Sequence, residues 1–474
     1  MPDPTRNTGD AEKTADQLAD EALLAKAHQQ FKLVIAAEGE LVGRMLEDYR
    51  FVDEDWGQWD PTALSDRKND GRPCVQIDRT SGPIRQVLNQ IREARPSVDI
   101  RPVDDGADVD KAEVRQGVMR RIETDSFADV AYLTAAEHQL KIGRGWWRIL
   151  TEWDERQPYQ HIRIVPIDNP FSVYYDPRCH KPDYSDARFA FLPEDLDPDD
   201  FKARFDREDV PGVGDLRQTG DAAPDWFPRG QVRIAEWFDV TTTWERIPTP
   251  DGTSAYRREK RSVMWYLMTA TEILERREIP GPYIPIIPVI GERSVIDGTV
   301  DLKGIVRRSK DPQRMVNYHR SAEIELMALG VKNQPVVDPE SIAEFKTMWE
   351  SRNRRNWGYL PQHTYDPRTG KEYRPPYLLQ NDVSSLQGYA MIAEQSENDL
   401  RATTGFFDVQ GQEKGPEKSG VAIRARERQA EMGNSHFLDN LGRAIRLTGL
   451  ILNAWIPVYY DTPRILRIVG KDNQ

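Results

Sequence analysis

Between Lys303 and Gly470 the chain reads as helix, compact insert, helix, glycine-rich loop and long helix. This order constrains the fold more than any single motif does. Met315, Tyr318, His319, Ala322, Leu326 and Leu329 recur at three- and four-residue steps, which gives the first helix one apolar stripe. Asp311 precedes Pro312, so the helix is expected to open there, with a capping carboxylate and a proline pre-set for the first helical position. The second helix carries Leu386, Tyr389, Ala393, Ser396 and Leu400 on one face and leaves Glu394, Glu397 and Asp399 largely off it. Gly411, Gly415, Pro416 and Gly420 then crowd together, and residues 405–420 read as a mobile loop. Helix resumes at Ser419–Ala422 and is expected to run to about Trp455, ahead of Pro457.

The insert, residues 331–385, holds Ser341 and Glu344 at capping-box spacing before a helix with Ile342, Phe345 and Trp349. The rest of it, through Asp366 to Pro376, reads as short strands and turns. Upstream, helices are expected from Leu18 to Val52, from Pro83 to Ala94 and in one stretch from Asp108 to Ile142. The Trp56/Trp59 segment and Asp66–Pro73 look like a surface loop. β-Branched and aromatic residues alternating with polar ones predict strands at 146–153, 161–167 and 172–175, and a β-rich section returns at 232–244 and 262–270. A short helix follows Asp197-Pro198 as far as Phe205, and a turn spans 248–253. The class is α+β, mainly α.

At 474 residues the chain has room for two to four domains and ample surface to bury. Its net charge of −13 is unevenly placed. Residues 301–474 hold 25 Lys+Arg and 22 Asp+Glu, or +3, which leaves −16 for residues 1–300. A sequence-reading DNA binder shows a strong basic face, and this chain does not. Like charge does let DNA pass close by without being gripped. Cys74 and Cys179 are the only cysteines, which argues against a disulfide framework and for a reducing compartment. No apolar run approaches the roughly 20 residues of a membrane span. Residues 1–17 are polar and lack the apolar core of a signal peptide.

Several candidates for chemistry stand beside plainer readings. Cys179-His180 suggests a metal, yet no second pair completes tetrahedral spacing. Asp104-Asp105 and Asp199-Asp200 are the carboxylates a Mg²⁺-dependent nuclease would need, or ordinary helix-start and surface acids. No Walker A motif, dinucleotide fingerprint, His-Glu-x-x-His or nucleophile elbow is present, and no cofactor is called for. Arg352, Arg354 and Arg355 beside Trp357 and Tyr359 suit a nucleic-acid contact, a protein hot spot or a solvated helix end. Arg424, Arg426 and Arg428 spread around a helix, which suits intersubunit ion pairs or solvation. In the glycine-rich loop Lys414 and Lys418 alternate with Glu413 and Glu417 ahead of Gly420, so net attraction to DNA is small.

The run Lys310–Ala322, the pair Ala402–Gly405 and Ser419–Arg426, and His436–Arg446 with Tyr460–Arg464 together resemble bacteriophage portal proteins of the short-tailed (podovirus) type. Tyr283–Gly291, and Gly143–Arg148 leading to Asp168–Pro170 and Tyr175–Pro177, fit the same family in the same order. The resemblance covers about residues 30–470. It implies a portal-type fold: a disordered or partly helical N-terminal arm over 1–29, a wing over 30–304, stem helices over 305–330 and 386–403 and a small α/β clip over 331–385. A tunnel loop over 404–420 and a long kinked helix over 421–474 would complete it. It further implies a head-tail connector ring, typically a homododecamer, at one capsid vertex, through which double-stranded DNA is packaged and ejected. Partners implied are the terminase large subunit, head-tail adaptors, and major capsid and scaffolding proteins, with no membrane, in the virion and in host cytoplasm during assembly. Met315, Tyr318, Ala322 and Leu326 would pack the stem; Glu394, Glu397 and Asp399 would face the channel. Arg352, Arg354, Arg355 and Trp357 would form the clip's docking surface, and Glu413, Lys414, Glu417, Lys418 and Gly420 the tunnel loop. Portals of that type continue into a crown and often a barrel past the segment matching Ile465–Gly470, so a shortened chain or fragment is expected. The rival readings are a metal-dependent nuclease and a capsid scaffold or adaptor without a DNA channel.

Overall fold

The computed structural model describes residues 15–101, 109–154, 159–207, 232–248, 255–330, 335–352, 355, 357–378, 383–404 and 435–461. Helix and strand are mixed, as α+β requires. In chain order the helices are α1 (Ala15–Asp53), α2 (Pro61–Asn69), α3 (Ser81–Ala94), α4 (Val109–Asp125), α5 (Ala128–Ile142) and α6 (Pro198–Phe205). After them come α7 (Ile305–Gly330), α8 (Lys346–Ser351), α9 (Val383–Thr404) and α10 (Ser435–Tyr459). The strands are β1 (Arg144–Trp153), β2 (Gln160–Pro166), β3 (Tyr174–Tyr175), β4 (Phe189–Leu196), β5 (Val232–Pro248), β6 (Ala255–Met268) and β7 (Ile273–Ile279). β8 (Ile286–Ile290), β9 (Glu292–Ile296), β10 (Thr299–Lys303), β11 (Pro335–Val336) and β12 (Tyr377–Leu378) complete the set. The chain divides into two compact units: Met1–Val52 with Ser81–Arg307 and Val409–Gln474, and Asp53–Thr80 with Arg308–Asp408.

The first unit is organised by aromatic burial. Five antiparallel strands run in the order β3-β4-β5-β6-β7. Register places Phe191 opposite Trp237 and Trp237 opposite Tyr266, so their rings form one row with centroids 6.0 and 4.8 Å apart. Ala27, Phe31 and Val34, at helical spacing on α1, close over that row. Phe31 and Val34 each contribute about 1.5–3 kcal/mol on burial, and Ala27 less. A second sheet, β2-β1-β8, packs on α5 and α10. Trp146 and Trp147 are fully buried in it, and the Trp147 indole donates to Thr448 Oγ1 at 3.0 Å. The glycines flanking Arg144 make this approach feasible. Gly143 ends α5 with φ +86°, and a Cβ on Gly145 would collide with the Ala135 carbonyl. Arg144, buried between them, reaches Glu38 on α1 at 2.7 Å.

Five expectations change. Asp66–Asn69 is helix, not loop: Asp60 accepts from the amides of Thr62 and Ala63 and starts α2, while Trp59 is buried. The stretch 108–142 is two helices, because Phe127 adopts φ +49° and breaks the ladder between α4 and α5. α7 opens at Ile305, where Ile305 and Val306 are buried, so Asp311 is no cap and Pro312 lies within the helix, forgoing one hydrogen bond. Ser341 forms no capping box: its hydroxyl donates back to the Asp338 carbonyl at 2.7 Å, and Glu344 pairs with His363. α10 continues past Pro457 to Tyr459. The tip of the turn expected at 248–253 lies outside the described residues.

Candidate functional site

The second unit turns the usual arrangement of a helix inside out. Gln313, Asn317 and Ser321, four residues apart on α7, are exposed by only 0, 1 and 0%. They face an extended strap, residues 73–80. The amides of Arg79, Ile77 and Val75 donate to Gln313 Oε1 (3.1 Å), Asn317 Oδ1 (2.9 Å) and Ser321 Oγ (3.0 Å) respectively. The spacing is commensurate: four helical residues rise about 6.0 Å, and two extended residues about 6.6 Å. Gln313 Nε2 donates in turn to the Ile77 carbonyl at 2.6 Å, and Asn317 Nδ2 to Gln58 Oε1 at 2.9 Å. Side chains thus serve the strap's backbone as a neighbouring strand would.

Charge closes both ends of this ladder. Glu325 accepts from Arg67 at 3.0 Å and Arg72 at 2.9 Å, and the Arg72 hydrogen bond holds its carboxyl below the usual glutamate range. Arg67 lies near the rings of Trp59 and Tyr318. Glu397 on α9 pairs with Arg320 at 3.2 Å and Arg79 at 3.7 Å.

The apolar stripe of α7 therefore sits on the opposite side from the ladder. Met315 is 45% and Tyr318 51% exposed, and Ala322 is half-buried; the side chain of Leu326 lies outside the described residues. On α9, Ala393, Ser396 and Leu400 are buried, matching the face read for the second helix, while Met391 and Ile392 are exposed. Glu394 and Asp399 are exposed; Glu397 is a brace between helix and strap. Gln313, Asn317 and Ser321 went unremarked in the sequence. A polar residue repeated at four-residue steps within one helix is the signal that identifies them.

The insert is small and turn-rich. Trp349 is buried and donates to the Pro361 carbonyl at 2.8 Å. Arg352 bends back to the Trp349 carbonyl at 3.1 Å, and Trp357 donates to Ser351 Oγ at 3.1 Å. Both are half-buried; Arg355 is exposed, and Arg354 lies outside the described residues. Exposed aromatics here are Tyr359, Tyr365 and Tyr377. Asp366 accepts from Thr369 and the Arg368 amide, bonds that hold its carboxyl low and shape the turn before Gly370.

Glu413, Lys414, Glu417, Lys418, Gly420 and the arginines at 424, 426 and 428 lie outside the described residues, as do Asp104 and Asp105. Cys179 is buried, and that burial pushes its thiol well up, against the thiolate a metal requires. Asp199 and Asp200 occupy the first turn of α6, where carboxylates favour the helix dipole. Among the described residues no group of three or more His, Cys, Asp or Glu could hold a metal, and no helix is long and apolar enough to cross a membrane.

The sequence profile of the phage P22-like portal protein family matches residues 28–474. The portal protein of Acyrthosiphon pisum secondary endosymbiont phage 1 is 24% identical over 498 residues, covering 95% of this chain and 68% of that protein.

Proposed function

The chain belongs to the phage P22-like portal protein family, a structural and non-enzymatic part of the capsid, and from that premise we propose that it forms the ring at the unique vertex. Double-stranded DNA would be packaged and ejected through the ring's centre. Residues 30–304 would supply the wing, 305–330 and 386–403 the stem, 331–385 the clip, 404–420 the tunnel loop and 421–474 the long helix. The stripe of exposed Met315 and Tyr318 with half-buried Ala322 carries the proposal on this chain's own residues. An apolar helix face left in water while a polar face is buried calls for a partner. A neighbouring copy supplies it in a head-to-tail ring. Glu394 and Asp399 then face the channel, where like charge keeps phosphate from adhering. Lys414 and Lys418, balanced by Glu413 and Glu417, would make weak transient contacts only. Arg355 and the exposed tyrosines of the clip suit docking of the terminase large subunit during packaging and of a head-completion adaptor afterwards, since Arg and Tyr dominate interface hot spots. Assembly in host cytoplasm, with scaffolding and major capsid proteins, belongs to the same reading.

Negative-stain images of the purified chain test it. Rings with a central hole are expected. Compact monomers at every concentration would contradict the ring.

A further inference from the structure

β5 and β6 outrun the sheet they belong to. β4 covers β5 only from Val232 to Asp239, and β7 covers β6 only from Val263 to Met268. Beyond that, Thr241–Pro248 and Ala255–Ser262 pair with each other alone, eight residues a side and about 27 Å long. A two-stranded ribbon of this kind is marginal in water and leaves both edges open. It is also basic: these sixteen positions hold five Lys/Arg and two Asp/Glu, in a chain of net charge −13. Arg246 stands directly opposite Arg257, a like-charged pair that destabilises the ribbon as it stands. Glu245, opposite Arg258, gives its carboxylate to Lys260 at 2.7 Å. Arg246, Arg257 and Arg258 are thus exposed without an ion pair among the described residues. Trp244, 60% exposed, shares the face of Arg246 and Arg257, and the exposed Glu259 stands opposite it on that face.

The other end of the same sheet is acidic. Leu196 pairs with Val232, so α6 follows β4 at the end of β5 remote from the ribbon. Asp197, Asp199, Asp200 and Asp206 are exposed there, Asp199 within 3.5 Å of Lys202. Phe201 is buried, and Arg204–Glu194 (3.2 Å) and Arg207–Glu272 (2.7 Å) fix the helix against the sheet. β5 separates the two ends by 17 residues, about 55 Å of strand.

We propose that the ribbon is a docking arm for a second copy of this chain, its Trp244–Arg246–Arg257 face seating on the acidic α6 end of the next copy's sheet. Basic and acidic patches at opposite ends of one sheet allow a head-to-tail contact, the kind that closes a ring. The acidic end relieves the opposed arginines, and Trp with Arg is the composition of an interface anchor. The proposal rests on the ring reading and adds a contact to it.

The test uses the full chain, with Arg246→Glu and Arg257→Glu together, and mass photometry over protein and salt concentration. Wild type should assemble, less readily at high salt. The double variant should need about tenfold more protein for half-assembly, with thermal unfolding unchanged. Adding Asp199→Arg and Asp200→Arg should restore assembly. If the Glu variants fold poorly, Arg246→Gln with Arg257→Gln gives the same comparison with a smaller shift. Wild-type assembly by the arm variants overturns the arm alone. Wild-type assembly with lost retention of double-stranded DNA assigns the ribbon to nucleic acid and likewise overturns it. A wild-type chain that stays monomeric overturns both the arm and the ring.

Discussion

The two units solve the same problem, satisfying a helix, with opposite chemistry. In the first, α1 and α10 bury apolar residues against sheets: Phe31 and Val34 on one, Leu441, Ile445 and Leu452 on the other. In the second, α7 buries Gln313, Asn317 and Ser321 against a strap and leaves Met315 and Tyr318 in solvent. The faces of α1 and α10 that meet the sheets are satisfied within one chain, although Leu18, Leu450 and Val458 on their other sides are exposed. A polar buried face with an exposed apolar one is satisfied internally and leaves apolar surface in solvent.

The comparison breaks first where apolar burial is densest. Trp146 stacks on Tyr175 and donates to the Pro170 carbonyl at 3.1 Å. Trp146→Ala should cost about 3–5 kcal/mol, read from denaturant unfolding of the first unit. A loss below about 1 kcal/mol would mean that the core collapses into the gap.

The polar ladder should give a smaller, different response. Asn317→Leu keeps similar bulk but strands the Ile77 amide and a Gln58 acceptor. The expected cost is about 1–3 kcal/mol, with raised hydrogen exchange at Ile77. An unchanged exchange rate would show that the strap is held by something else.

The smallest effect is electrostatic. Glu325 is held below its ordinary value by Arg72, so its contribution is present above the unfolded glutamate range. It is lost as pH falls through the lower folded value. Glu325→Gln should therefore lower the neutral-pH plateau of a melting-temperature profile slightly and flatten its acid limb by the same small amount. An identical acid limb in both proteins would remove Arg72 and Arg67 as the cause.

Much of this was legible in sequence. Period-two alternation marked β1 and β2, and helical spacing marked α1 and α9, because those elements each bury one face, while β-rich composition found β5 and β6 only in part, as 232–244 and 262–270. What escaped were features set by partners distant in the chain. α2 was hidden because Asp66–Pro73 is turn-prone in composition, and its cap lies upstream at Asp60. Asp311-Pro312 looked like a helix start, but burial of Ile305 and Val306 extends the helix through it. The ladder was invisible to a hydrophobicity pattern, since its signal is polar and its strap lies more than 230 residues away.

The two faces of α7 can be separated by one measurement of oligomer mass. Met315→Asp with Tyr318→Asp places carboxylates on the exposed stripe, where a lone subunit tolerates them in water. If that stripe packs against a neighbour, the pair is costly by several kcal/mol per subunit in a dry interface. Mass photometry should then show assemblies for wild type and monomers for the double variant, with the helical content of the two the same by circular dichroism. Wild-type assemblies formed by the double variant would contradict the assignment of this face to the subunit interface.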